Sequence, residues 1–183
     1  MSIPFNPVRR KSRAVHNEEW IETFLAHAPC GVVATAVNGQ PYMNTLLFAY
    51  HAPTHAVYFH SSDQGRLADN VRLCSDVCFT ASQMGRLLPA SKACSFGVEY
   101  ASVVIFGQAH ILTEPAERAF GLQLLLDKYF PDRRSGEDYP ALDLEQMRDT
   151  AVYRVDIQSW SAKREQAPED FPGAFYFESQ HEG

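Results

Sequence analysis

The stretch CGVVATAVNGQPYMNTLLFAYHAPTHAVYFH, residues 30–60, decides the fold. Its opening run, CGVVATAV (30–37), is apolar and β-branched, the composition of a strand. Asn38-Gly39 follows, and an Asn-Gly pair between apolar runs predicts a two-residue hairpin, because both residues tolerate positive φ. PYMNTLLFAY (41–50) returns as a second strand, HAPTH (51–55) turns again, and AVYFH (56–60) is a third. Three strands in succession, joined by short turns, make an antiparallel meander. No helix-sized segments alternate with them, so a doubly wound parallel sheet is excluded.

Outward from this meander the period changes. On the N-terminal side, Asn17 is placed to cap a helix, with Glu18 and Glu19 where the helix dipole favours acid. Trp20, Ile21, Phe24 and Leu25 then form one apolar stripe to about residue 27. On the C-terminal side, Leu67, Val71 and Cys74 fall at helical spacing, and DVCFTAS (76–82) reads as a strand. EYASVVIFGQAHIL (99–112) is a long strand in which Gly107 predicts a bulge or bend. Thr113 is a candidate cap, with Glu114 and Pro115 in the first turn of a helix to about Phe130. The polar run 131–140 reads as a surface loop and AVYRVDIQSW (151–160) as the last strand. The expected architecture is α+β: a split β-barrel of about six mostly antiparallel strands with two or three flanking helices. The expected organisation is a basic arm over 1–16, one domain over 17–165, and a loosely ordered acidic tail over 166–183.

At 183 residues the chain is long enough for one domain with a full core. Its net charge of −6 argues against nucleic acid as a partner. No apolar run approaches the roughly 20 residues of a membrane span, and no apolar segment follows the N-terminal basic residues as in a secretory leader. The expected address is cytoplasmic, with no membrane partner. Cys30, Cys74, Cys78 and Cys94 then read as reduced thiols. Cys74 and Cys78 lack a second Cys/His pair to complete a zinc set, so no metal site is expected.

None of the G-x-G-x-x-G, Walker, H-E-x-x-H or G-x-S-x-G motifs occurs. Chemistry concentrates instead in AVYFHSSDQGRLADNV (56–71). A helix starting near Gly65 presents unpaired N–H groups and the positive end of its dipole. Ser61 and Ser62 add hydroxyl donors, Arg66 adds a fork suited to phosphate, and Gly65 lets an anion approach the backbone. Together these read as a phosphate cradle at a strand–helix junction; the plainer reading is a serine cap beside an exposed arginine.

Four stretches carry a resemblance: RRKSRAVHNEEWIETFL, CGVVATAVNGQPYMNTLLFAY, VYFHSSDQGRLADNV, and EYASVVIFGQAHILTEPAERAFGLQLLLDKYFP. In this order they resemble the pyridoxamine 5′-phosphate oxidase-like superfamily of FMN-binding split barrels. The resemblance is to its flavin-nucleotide-binding branch, which includes the nitroimidazole-resistance proteins, and it spans residues 9–165. It implies a homodimer with FMN at the subunit interface. Met43, Asn44, Thr45, Leu46 and Leu47 would run beside the isoalloxazine ring. Tyr58, Phe59, Ser61, Ser62, Gly65 and Arg66 would hold the phosphate and ribityl chain. The partner subunit would supply Tyr100, Ser102 and Val103, with Trp160 and Lys163. Relatives often carry a lysine after the Gly-Arg pair; here Leu67 stands in that place. The basic pair and late Trp-Ser-x-Gln element of true pyridoxamine-phosphate oxidases are not evident.

His60 reads either as a proton donor near the flavin, hence the candidate catalytic residue, or as a strand-end histidine bonded to backbone. The functional expectation is an FMN-dependent oxidoreductase moving electrons from NADH, NADPH or another donor to a small planar acceptor of nitroaromatic or quinone type. The alternatives are a non-catalytic FMN carrier or sensor and a haem-binding member of the same fold.

Overall fold

A computed structural model describes residues 8–142 and 148–177; the rest of the arm and of the tail lies outside them. Its strands are β1 (Ala14–Val15), β2 (Gly31–Val37), β3 (Gln40–Leu46), β4 (Phe48–His51), β5 (Ala56–Ser62), β6 (Asp76–Leu88), β7 (Gly97–Ile111), β8 (Thr150–Glu165) and β9 (Phe175–Tyr176). Its α-helices are α1 (Glu18–His27), α2 (Arg66–Leu73) and α3 (Pro115–Tyr129).

Local chemistry sets most of the boundaries. Asn17 caps α1, its Oδ1 accepting the Trp20 N–H at 2.8 Å. The Asn-Gly hairpin forms with φ of +52° and +78° at Asn38 and Gly39, and β2 pairs with β3 from Val37↔Gln40 to Gly31↔Leu46. The β7–β8 register shifts between Phe106 and Gly107, where a Cβ on Gly107 would lie 2.1 Å from the Asp156 carbonyl oxygen. At α3 the cap moves by one residue: Glu114 is the N-cap, without a side-chain bond, and Pro115 opens the helix.

The main path of the antiparallel sheet runs β3-β2-β6-β7-β8-β5-β4, with β1 on β8 and β9 on β6. The segment 41–50, expected as one strand, is two: β3 pairs with β2 and β4 pairs with β5, and only Leu47 separates them. Laid flat, seven strands at about 4.8 Å spacing would put β3 and β4 about 29 Å apart. Two Cα–Cα steps cover at most about 7.6 Å. The sheet therefore curls until its outer strands are consecutive in the chain, which makes an incompletely closed barrel of seven strands with two short additions.

One core fills the barrel. It includes Leu25 of α1, Val33, Phe48, Phe59, Phe79 and Ile105 of the strands, Leu67 and Val71 of α2, and Tyr153 of β8. Phe59 stacks on Tyr153 with ring centroids 4.8 Å apart. A smaller cluster of Ala56, Tyr58, Leu112, Leu122 and Val152 lies under α3. Gly121 permits that packing, because a Cβ there would meet Val152 Cγ1 at 2.8 Å.

The segment after residue 165, expected to be loosely ordered, is docked over 166–177. Glu99, 9% exposed, accepts from Arg86 Nε at 2.9 Å and Nη2 at 2.7 Å, and from the Ala167 N–H at 2.9 Å. Arg86 also donates to the carbonyls of Pro168 and Glu169 at 3.0 and 2.9 Å. Beyond this clamp β9 pairs with Arg86 and Leu87 of β6. The composition of the tail is that of a loop; buried Glu99 and partly buried Arg86 supply its bonds.

The Arg86 guanidinium holds the Glu99 carboxyl at a pKa of about 2, below its ordinary 4.5. The stabilisation is complete above 4.5 and lost as pH falls toward 2. Glu99→Gln should lower the melting temperature at neutral pH, and its deficit against wild type should narrow between pH 4.5 and 2. Scanning calorimetry across that window checks this; a constant deficit would refute it.

Candidate functional site

The cradle expected around Gly65 is built largely from backbone. Gly65 precedes α2 with φ +96° and ψ −178°, a conformation close to glycine-only. No side chain caps the helix. The first intrahelical bond runs from the Asp69 N–H to the Gly65 carbonyl at 3.0 Å, so the first-turn N–H groups face outward without intrahelical acceptors.

The loop entering this turn is held by several elements. Tyr153 donates to the Ser62 carbonyl at 3.1 Å, and Arg72 Nη2 donates to the Asp63 carbonyl at 2.7 Å. The Asp63 N–H donates to the Asp149 carbonyl at 3.0 Å. Ser62 Oγ accepts the Gln64 N–H at 3.2 Å, closing a serine turn. The helix is tied sideways as well: buried Asn70 donates to Thr35 Oγ1 at 2.8 Å, and Thr35 donates to the Tyr42 carbonyl at 3.4 Å. Tyr153, Arg72 and Asn70 were absent from the sequence-derived site. A buried tyrosine on an alternating strand must place its hydroxyl somewhere, and that was the available signal for Tyr153.

Arg66 is exposed, and its guanidinium lies 5.5 Å from the Tyr42 ring centre. Among the described residues it has no acidic partner. Leu67, where the resemblance expects lysine, is 5% exposed and packs into the barrel core as the apolar anchor of α2.

β3 forms an outer strand of the main path, so every second residue turns backbone N–H and C=O groups toward the open side. Tyr42, Asn44 and Leu46 share one face, and Met43, Thr45 and Leu47 the other. Met43 and Leu47 are 68% and 48% exposed. Asn44 Oδ1 is buried without a hydrogen-bond partner, an acceptor in want of a donor. The crossing at Leu47 is fixed by Tyr129, whose hydroxyl accepts the Phe48 N–H at 3.0 Å and stands 3.0 Å from the carbonyls of Phe48 and Pro29. Beside it Lys128 Nζ donates to the Leu25 carbonyl at 3.1 Å, and burial brings its pKa down to about 8.

Other expected residues stand elsewhere. Tyr58 and Phe59 are 3% and 0% exposed, in the cluster under α3 and in the main core. Their side chains pack into those clusters, because the strand is covered on both faces there. His60 is exposed and, by strand alternation, projects from the face opposite to Ser61. Ser102 is paired with Lys163, and Val103, fully buried, with Ala162. Tyr100 lies near Arg13, whose guanidinium carbon is 5.9 Å from the ring centre. Trp160 packs edge-on to His55, centroids 4.6 Å apart. This second group sits on β7 and the far part of β8: β5 meets β8 at Ser61↔Ala151 and Ser62↔Thr150, and from Ala151 to Trp160 the strand runs on the order of 30 Å, so one chain does not join the group to the cradle.

The described residues contain no helix long and apolar enough to cross a membrane. A family model described as pyridoxamine 5′-phosphate oxidase matches residues 17–164. No curated protein matches the chain. Among solved structures, the flavocytochrome Anf3 from Azotobacter vinelandii is similar at 25% identity and a TM-score of 0.73, over 88% of this chain and 73% of that one. A FAD- and haem-binding protein from Mycobacterium smegmatis is similar at 19% identity and a TM-score of 0.75, over 86% and 76% of the two chains. A candidate 5-nitroimidazole antibiotic resistance protein from Bacteroides thetaiotaomicron is similar at 22% identity and a TM-score of 0.66, over 82% and 86%.

A Cβ on Gly65 would meet nothing within 4 Å, so a substitution there acts through the backbone alone. Gly65→Ala should cost about 1–3 kcal/mol, read as a lower urea midpoint with an unchanged slope. A midpoint equal to wild type would show that α2 begins in another conformation.

Proposed function

This chain belongs to the pyridoxamine 5′-phosphate oxidase family, and from that premise we propose that it is a flavoprotein binding FMN, acting as an oxidoreductase on a small planar acceptor. The observation that carries the reading is the uncapped start of α2 at Gly65 with Arg66 beside it. Free backbone donors, a positive helix end and an unpaired guanidinium suit a phosphate monoester better than any neutral ligand. Asn44 fits the same ligand at its other end: its unpartnered buried oxygen is matched by the ring N–H that a flavin carries between two carbonyls.

In this reading Ser61, Ser62, the first-turn N–H groups and Arg66 hold the phosphate. Asn44 and the open backbone of β3 hold the polar edge of the ring and set its depth in the cleft. When bound, a flavin supplies hydride or single-electron transfer, chemistry that no side chain provides. The protein's share is orientation and exclusion of water. A homodimer completes the site, with Tyr100, Ser102, Trp160 and Lys163 of the second copy opposite the cradle; the separation of these groups within one chain supports it. NADH or NADPH is the proposed donor and a nitroaromatic or quinone the proposed acceptor. His60 supplies no phosphate donor in this reading, and His60→Gln should leave FMN affinity unchanged.

A second reading, flavin together with haem, is favoured by the descriptions of two similar structures. The visible spectrum of freshly purified protein separates the two: flavin bands alone for the first, an added Soret band for the second.

Arg66→Ala removes a charge-assisted contact worth about 1.5–3 kcal/mol, so the FMN dissociation constant should rise by roughly 10- to 150-fold. Quenching of flavin fluorescence on titration measures it. An unchanged constant would remove Arg66 from the phosphate site. Failure of the wild-type protein to bind FMN at all would overturn the flavin reading.

A further inference from the structure

The outer side of the sheet, away from the main core, is unevenly covered. Under α3, Leu112 beyond the end of β7 and Val152 of β8 pack with Leu122. Farther along the same two strands the registers lay out two rows of side chains. One row runs Met43, Ala34, Cys78, Phe106 and Ser159 across β3, β2, β6, β7 and β8. The next runs Thr45, Val32, Thr80, Val104 and Ser161 across the same strands. Side chains directly opposite on antiparallel strands share a face, and Met43 and Phe106 on this one are 68% and 37% exposed.

No side chain in these rows is charged, although 21% of the chain's residues are. Depletion of charge marks the centre of a protein interface. Two copies that each carry a net charge of −6 repel one another through the rest of their surface. An uncharged strip lets them meet, and it is its own complement, as a two-fold contact requires.

The docked tail belongs to this face. Phe175 of β9 lies opposite Leu87 of β6, and Leu87 lies opposite Val98 of β7. Val98 alternates with Tyr100, Ser102 and Val104 along β7, so Phe175 stands on the side of the sheet that carries Phe106. It is 53% exposed. Glu99, between Val98 and Tyr100, turns to the opposite side, where it binds Arg86 and the Ala167 N–H. The clamp therefore works from one side of the sheet to fix an exposed aromatic ring on the other.

We propose that the docked tail is an assembly element: Phe175 of each copy packs against a second copy of this chain, at the margin of an interface centred on the two uncharged rows, and the clamp of Arg86 and Glu99 holds it there. The proposal rests on the dimer reading above, which sets Ser102 and Lys163 of this face opposite the cradle of the second copy. It adds the tail to that interface. A phenyl ring buries about 150–250 Å², and two-fold symmetry counts it twice, against about 1,600 Å² for a standard interface.

Sedimentation velocity of the full chain over a dilution series, with and without FMN, tests this. Wild type should be a dimer. Phe106→Asp and Phe175→Asp should each raise the dimer dissociation constant by about tenfold or more, the scale of losing a buried anchor. Glu99→Gln should raise it as well, by loosening the seat of β9. Leu73→Asp, at an apolar position of α2 that is 73% exposed, should leave it as in wild type. Circular dichroism checks that each variant is folded. A wild type that is monomeric throughout refutes the proposal, as does a Leu73→Asp variant weakened as much as Phe175→Asp. If Phe106→Asp weakens the dimer and Phe175→Asp does not, the dimer reading stands and the tail has no part in it. A dimer unmoved by Glu99→Gln overturns the role of the clamp. If the dimer responds as expected while FMN does not bind, the tail keeps its role and the flavin reading fails.

Discussion

The passage of the chain from β3 to β4 through the single residue Leu47 is the constraint on which the rest depends. It makes the outer strands of the main path consecutive in sequence, so the sheet has to curl and its inner face becomes a closed core. Phe48, the first residue past the crossing, is fully buried, and the Tyr129 hydroxyl bonds its N–H. The last turn of α3 therefore fastens the seam. The opening left along β3 is also where backbone groups stay free of strand partners. One geometric necessity encloses the core and leaves that edge open.

Electrostatics then divide the surface. The chain is acidic overall, yet the start of α2 is positive: backbone dipoles are gathered there by a glycine turn, with Arg66 added. The clamp of Arg86 and Glu99 is of another kind. Its charges cancel, and its product is position.

Much of this was legible in residue order. The Asn-Gly hairpin, the Asn17 cap, the bend at Gly107 and the helix start at Gly65 each follow from backbone preferences of a few adjacent residues. The helix-and-strand menu and the barrel class followed from them. The docking of the tail was not legible. Its Pro- and Gly-containing run is loop-like by every local measure, and the residues that hold it lie some 80 positions away in sequence. The burial of Tyr58 and Phe59 was not legible for a related reason. Alternation along β5 tells which residues share a face, and only the layer of α3 on one side and the core on the other shows both faces to be covered.

The sequence by itself determined the local conformations, because φ preferences, caps and apolar periods act over a handful of residues. It also determined the family, through motifs whose spacing survives without any contact map. The tertiary structure decided which strand meets which, that 41–50 is split between two neighbours, and that Ser62 is held by Tyr153 and Asp63 by Arg72. Those are pairings between groups far apart along the chain. Their energy depends on the curled sheet that brings them within reach, and no stretch of sequence carries that alone.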